Sequence, residues 1–389
     1  MRYIRGLRCI NCNHLNEVSI IYKCENCSGI LNVEYNYEKI KKDSKKILTN
    51  KGIWKFKKLL PVRQNIKPVT LGEGETPLLE IDKIISKNSK INLFFKVESI
   101  NPTLSFKDRS LSVALTVSKQ FQVDKVITAS TGNTGVAAAA YAARASMPCT
   151  IFIPKDTPKE KLKMMKLYGA DTSLVDGNFS DAYQKANQIA MKNNWFNLTS
   201  TFLNPYAIEG NKTLAYELYE QYGGVPDWII IPVGAGPLLV SCYKGFKELK
   251  YFGLINNLPK MVGVQAEKCS PIVEAFNLKT KNVSSWKMKE KTIASGIADP
   301  LELYPEDGTR TLDTIYESGG EAISVTENQI KYYQKILAEA QGLFVEPSSV
   351  TAVAAIDILT ERNKFDYSKQ SIVSVLTGHG IKDLDVLFD

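Results

Sequence analysis

From about residue 91 onward, short apolar runs alternate with longer segments whose apolar residues recur every three or four positions. INLFFKVES, KVITAS, CTIFIP, WIIIPV, MVGVQA and SIVSVLTG read as strands; VAAAAYAARA, KLKMMKLYG, DAYQKANQIAMKNN and ENQIKYYQKILAEAQ read as helices. Runs that are apolar at nearly every position mark strands covered on both faces. Their alternation with helices predicts parallel sheets flanked by helices, an α/β fold. Nearer the N-terminus, ILNVEYNY reads as a strand closing a small unit, and TLGEGETPLLEI as a Gly/Pro-punctuated loop before a helix-like stretch.

Composition narrows the class. At 389 residues the chain has room for two or three folded units. With 44% hydrophobic and 23% charged residues it can bury a core, which excludes disordered, collagen-like and disulfide-stapled classes. The longest charge-free run, Val126 to Ala143, is interrupted by STGNTG, so no membrane span is expected. MRYIRGLRC lacks the apolar stretch of a signal peptide, and the expected compartment is the cytoplasm. The net charge of +8 is local. Residues 39–67 hold eleven Lys/Arg against Asp43 alone, which leaves the rest slightly acidic. A solvated helix or linker face accounts for that segment, and nucleic-acid binding is not expected.

Four of the seven cysteines form Cys9-x2-Cys12 and Cys24-x2-Cys27, separated by eleven residues. Two such knuckles can offer four thiolates to one tetrahedral zinc, whose binding energy would fold a unit of about 30 residues. Two disulfides are the competing reading, disfavoured in a reducing compartment. Four thiolates leave no open position, so the metal is read as structural. Cys149, Cys242 and Cys269 read as small packed hydrophobes.

Four strand–helix junctions carry unusual residues, and such junctions are where open α/β sheets gather ligands. In NPTLSFKDRS, Lys107 can form a Schiff base with an aldehyde if its site lowers its proton affinity; a solvated surface lysine is the plain alternative. In ASTGNTG, Ser130, Thr131, Gly132, Asn133 and Thr134 precede an Ala-rich helix whose N-terminus favours a carboxylate. In VGAGPLL, Gly234, Ala235, Gly236, Pro237 and Leu238 offer backbone amides to a phosphate, as an ordinary turn also could. In LTGHGIKD, Thr377 ends a strand, and His379 stands open between catalytic base and packed loop residue. A Schiff-base lysine, a carboxylate turn and a phosphate loop are the parts that hold pyridoxal phosphate.

These motifs, in this order and over nearly the whole chain, resemble the threonine synthases, pyridoxal-phosphate enzymes of fold-type II (the tryptophan-synthase-β group). NPTLSFKDRS, ASTGNT, VGAGPL, EPSSV and LTGHGIKD stand where that family has NPTGSFKDRG, ASTGNT, VGNAGN, EPASA and LTGHGLKD. TLGEGETPL, NPYAIEGNKTLAYEL and MVGVQAE are similar to it as well. The resemblance implies two parallel-sheet domains with the cofactor in a cleft, an N-terminal zinc-ribbon-like unit, and a homodimer. It implies that Lys107 carries pyridoxal phosphate and moves protons, and that Asn133 meets the ring hydroxyl. Residues 234–238 would hold the cofactor phosphate, Thr377 would face the pyridine nitrogen, and Ser130, Thr131, Gly132 and Thr134 would meet substrate. The implied reaction converts O-phospho-L-homoserine and water to L-threonine and phosphate. The expected domains are 1–38 (ribbon), 39–102 with 203–389 (large) and 103–202 (small).

Several positions depart from the family. Thr201, Phe202 and Ala207 replace an Asn-Ser pair and an Arg in the NSVNPxRLEG segment, and ASGIADP (294–300) replaces ATAIRIGNP. Ala supplies none of the charge-assisted hydrogen bonds of an Arg fork. Pro237 cannot donate an N–H, and Leu104 stands for a Gly. These departures keep a second reading open: elimination or β-replacement on another small amino acid, as in threonine/serine dehydratases and cysteine synthases, to which GAGPLL is also similar. A non-catalytic sensor or nucleic-acid binder is the reading from another class, and it has no need for Lys107.

Overall fold

The computed structural model describes residues 3–43, 51–81, 92–155, 159–365 and 369–384. The helix-like stretch expected after TLGEGETPLLEI lies outside the described residues. The chain divides into two compact units. The first holds residues 1–75, 101–103 and 107–213; the second holds 76–100, 104–106 and 214–389.

The first unit begins with a three-stranded antiparallel sheet in the order β2-β1-β3, from β1 (Ile4–Cys9), β2 (Leu15–Asn16) and β3 (Leu31–Tyr35). Its second sheet is parallel, in the order β8-β7-β6-β9, formed by β6 (Val126–Ala129), β7 (Cys149–Pro154), β8 (Asp171–Val175) and β9 (Phe196–Asn197). β6 and β7 are buried at every position, which explains their uninterrupted apolar runs. The helices Lys107–Gln120 and Asn133–Ala145 pack on each other, and the alanines of the second permit a close approach. Within this sheet the chain proceeds outward from β6 through β7 to β8, then returns to β9 on the other side of β6. The topological switch point therefore lies between β6 and β9, and a ligand crevice is expected at their carboxyl ends.

The second unit carries a six-stranded sheet in the order β12-β11-β10-β13-β5-β4. Its strands are β4 (Leu78–Glu80), β5 (Asn92–Val97), β10 (Trp228–Pro232), β11 (Lys260–Ala266), β12 (Glu321–Val325) and β13 (Ser371–Leu376). All pairs are parallel except the edge strand β4, antiparallel to β5. The helix Pro347–Glu361 is apolar nearly all round and crosses β10 to β13, burying Val350, Val353 and Ile356 against Ile230, Val262 and Ile372. Each such side chain contributes about 1.5–3 kcal/mol on leaving water. The switch point here falls between β10 and β13, whose loops carry Gly234–Gly236 and Thr377.

Residues 39–75, expected in the large domain, group instead with the first unit. The reason is a buried hub. Glu73, fully buried, accepts from Trp54 Nε1 (2.8 Å), Ser112 Oγ (2.5 Å), Tyr141 OH (2.8 Å), Thr70 Oγ1 (3.1 Å) and Leu71 N (3.0 Å). Nor is the basic segment simply a solvated face. Its short helix Gly52–Leu59 buries Ile53, Trp54 and Phe56, and Lys57 Nζ caps the carbonyls of Gln64 and Ile66. No helix among the described residues is long and apolar enough to cross a membrane.

Candidate active site

In the first unit, Lys107 opens the helix Lys107–Gln120. The chain before it is pinned by Asp108, which accepts from Thr103 N (2.7 Å) and Thr103 Oγ1 (2.5 Å). Lys107 is half-buried, and its Nζ donates to Ser200 Oγ at 3.0 Å. Ser200 Oγ also accepts from Thr134 Oγ1 at 2.7 Å. The helix start after β6 thus meets the loop after β9 at the lysine amine. Ser130 braces its own turn by accepting from Gly132 N (3.2 Å) and Gly135 N (2.9 Å). Thr131, Gly132 and Asn133 are half-exposed, and a Cβ built at Gly132 meets nothing within 4 Å, so open space faces this helix start.

In the second unit, β10 ends at the Gly234–Gly236 loop, and Pro237 opens the next helix. Pro237 occupies the first helical position, where an N–H would have no helical partner anyway, so this departure costs the helix nothing. Among the described residues the amides of Gly234, Ala235, Gly236 and Leu238 have no acceptor, leaving four donors at the positive end of a helix. Gly236 has φ 94°, and a Cβ there would lie 2.3 Å from Thr311 Oγ1, the hydroxyl that binds Ala235 O at 2.6 Å. Left-handed strain of about 1–2 kcal/mol and overpacking of about 1–3 kcal/mol lead us to expect Gly236→Ala to cost roughly 2–5 kcal/mol. Calorimetry checks this; an unchanged thermal midpoint would mean that the loop relaxes freely.

Thr377, at the end of β13, is buried with its Oγ1 2.9 Å from Ser349 Oγ. Ser349 also accepts from Gly378 N at 2.8 Å, which fixes the pair. Phe106, the residue before Lys107, donates its N–H to Thr377 O at 3.0 Å. Leu104 has φ 63°, a conformation that suits Gly, and its carbonyl is held by His379 N (3.1 Å) and Lys382 Nζ (2.8 Å). His379 packs its ring on Phe344 and accepts Ile381 N at Nδ1 (3.2 Å). Burial, with the Lys382 charge, pushes its pKa below the usual histidine value.

A sequence profile of the family described as "Pyridoxal-phosphate dependent enzyme" matches residues 69–378. The chain is 40% identical to threonine synthase of Methanocaldococcus jannaschii, covering 97% of this chain and 93% of that one. It is 37% identical to that of Methanosarcina acetivorans, over 98% and 93%. The chain belongs to the threonine synthase family of pyridoxal-phosphate dependent enzymes. Among solved structures, a fungal L-serine ammonia-lyase from Rhizomucor miehei shares the fold, with TM-score 0.68 at 20% identity over 80% of this chain and 95% of that one.

Measured against other threonine synthases, the departures take on definite surroundings. Phe202 and Ala207 are buried, and Thr201 Oγ1 accepts from Leu203 N at 3.2 Å. The ASGIADP segment lies against the phosphate-type loop: a Cβ on Gly234 would sit 3.2 Å from Asp299 Cβ. Sequence reading missed Ser200, Ser349 and Glu73; the only signal was their place in NLTST, EPSSV and TLGEGETPL.

The Sγ atoms of Cys9, Cys12, Cys24 and Cys27 all lie within 4.8 Å of one another, with Cys9–Cys27 at 3.4 Å and Cys12–Cys24 at 3.7 Å. These spacings exceed the roughly 2.05 Å of a disulfide. They match the edge of a tetrahedron with metal–sulfur bonds of about 2.3 Å. A hydrogen bond from the Asn26 side chain, with one from the His14 backbone, brings the Cys12 thiol down to about 6. Cys149, Cys242 and Cys269 are buried, as expected.

Proposed function

We propose that this threonine synthase family member converts O-phospho-L-homoserine and water to L-threonine and phosphate, with Lys107 as the amine that binds pyridoxal phosphate. The observation that carries the reading is the Lys107 amine held against the Ser130–Thr134 turn through Ser200. Bound pyridoxal phosphate supplies the electron sink that lets substrate carbons lose protons and phosphate leave from Cγ. The residues of this chain fit that group. The four amides at 234–236 and 238, without an acceptor among the described residues, would suit its phosphate, and the Thr377 hydroxyl, oriented by Ser349, would suit a neutral ring nitrogen. Asn133 would meet the ring hydroxyl. Thr131, Gly132 and Thr134 would meet the substrate carboxylate at the helix N-terminus, with Ser130 bracing the turn. Lys107 takes a proton from substrate carbon and returns one later in the cycle.

We further read Cys9, Cys12, Cys24 and Cys27 as the ligands of one structural zinc in an N-terminal ribbon, on their mutual spacing. Family likeness leads us to propose a cytoplasmic homodimer, which sedimentation of the purified protein checks.

The test is a substrate panel on the holoenzyme: O-phosphohomoserine, threonine, serine and O-acetylserine. Equal amounts of threonine and phosphate from the first are expected. Production of 2-oxobutyrate from threonine, without phosphate release from phosphohomoserine, would replace this reading by a dehydratase.

A further inference from the structure

Ser200 has no place in the motifs that identify the family, yet its hydroxyl accepts a hydrogen bond from the Lys107 amine. Its oxygen accepts from Lys107 Nζ at 3.0 Å and from Thr134 Oγ1 at 2.7 Å. A hydroxyl oxygen has two lone pairs, and both are engaged; its own hydrogen must point away from both donors. The neighbours on either side are clamped. Thr199 Oγ1 accepts from Ala129 N of β6 at 3.2 Å, and Thr199 N donates to Asn197 Oδ1 at 2.9 Å. Thr201 Oγ1 accepts from Leu203 N. On the other side, Thr134 is buried in the first turn of its helix. The Ser200 oxygen is therefore a preset acceptor aimed at the amine, held by the two loops that meet at the β6–β9 switch point.

We infer that Ser200 is a positioning residue for Lys107. It holds the amine once substrate has taken the lysine's place, and it steadies the ammonium formed when Lys107 accepts a proton. The neutral amine takes one proton from substrate carbon and becomes an ammonium with three N–H donors, one of them to Ser200 Oγ. That ammonium later delivers one proton to carbon and returns to the neutral amine, so Ser200 is unchanged over the cycle. An acceptor that favours the ammonium raises the lysine's proton affinity, so its removal lowers it. This inference rests on Lys107 being the reacting amine.

The experiment compares wild-type, Ser200→Ala, Ser200→Thr and Lys107→Ala holoenzymes with O-phosphohomoserine across pH. Losing one hydrogen bond to a charged group predicts a fall of about tenfold to a hundredfold in kcat for Ser200→Ala, with KM within about twofold. The acid limb of its kcat profile should move to lower pH, and Ser200→Thr should recover most of the rate. A Ser200→Ala enzyme with wild-type kcat and profile overturns the inference. So does a slower enzyme whose limb stays in place and whose rate threonine fails to restore, because that is the behaviour of a structural serine. Lys107→Ala separates the two levels: wild-type activity in that variant removes the functional reading itself, whereas its inactivity leaves Ser200 judged by its own variants.

Discussion

Replacing Lys107 by alanine is expected to lower threonine formation by at least about 10³-fold, since in the proposed function one side chain supplies both covalent attachment and proton transfer. The variant should fold. Lys107 is only half-buried at the first position of its helix, where alanine is an excellent helix former, and Asp108 with Thr103 continues to pin the turn. Loss of activity with an unchanged thermal midpoint is therefore the expected pair of results. Phosphate release from O-phosphohomoserine and a calorimetric scan measure the two. Activity within tenfold of wild type would remove Lys107 from the chemistry.

The second large effect concerns the cysteine ribbon, and its reach follows from what the ribbon touches. Tyr35 of β3 donates its hydroxyl to Glu209 Oε2 at 2.8 Å, and Lys212 Nζ sits 2.7 Å from the same oxygen and 4.0 Å from the Tyr35 ring centroid. Tyr22 OH accepts from Asn197 N, and Tyr206 OH donates to Ser19 O, both at 2.7 Å. These contacts fall on either side of Ser200, from residue 197 to residue 212. Further along, a Cβ on Gly210 would lie 2.1 Å from Arg109 O, so the same segment is packed on the Lys107 helix. Metal binding in small zinc peptides is worth about 10–16 kcal/mol at neutral pH, and most of that energy holds the fold. Cys24→Ser, at a buried thiol, should abolish zinc binding. If about 3 kcal/mol of that energy stabilises the first unit, its midpoint should fall by roughly 6–12 °C. Activity should fall with it, because the segment bearing Ser200 loses its support. Zinc analysis of the purified protein and melting curves of both forms decide this. Wild-type protein purified without zinc, or a midpoint that Cys24→Ser leaves unchanged, would contradict the ribbon's proposed role.

How far residues alone could foretell this structure depended on the range of the contacts involved. Strands β6, β7, β10, β11 and β13 are buried at nearly every position and stand out as apolar runs. Strands β8 and β12 do not. They lie at the edges of their sheets, where exposed faces admit polar residues, and DTSLV and EAISV carry no decisive period. β9 spans two residues and is defined only by its partner β6. The STGNT turn, the Gly234 loop and Thr377 stood out as candidates because each breaks an apolar run at a strand end, and Lys107 because it follows an Asn-Pro-Thr turn at the start of a helix. Ser200 did not, because its role depends on Lys107, 93 positions away, and Thr134, 66 positions away. Glu73 was equally silent. An acid in a Gly-rich loop resembles a solvated turn until Trp54, Ser112 and Tyr141 converge on it.

The most direct test of the account is to reduce freshly prepared holoenzyme with borohydride, digest it, and locate the phosphopyridoxyl group by mass spectrometry. The account predicts that group on Lys107 alone. An unmodified Lys107 peptide, or the group on another lysine, would contradict it.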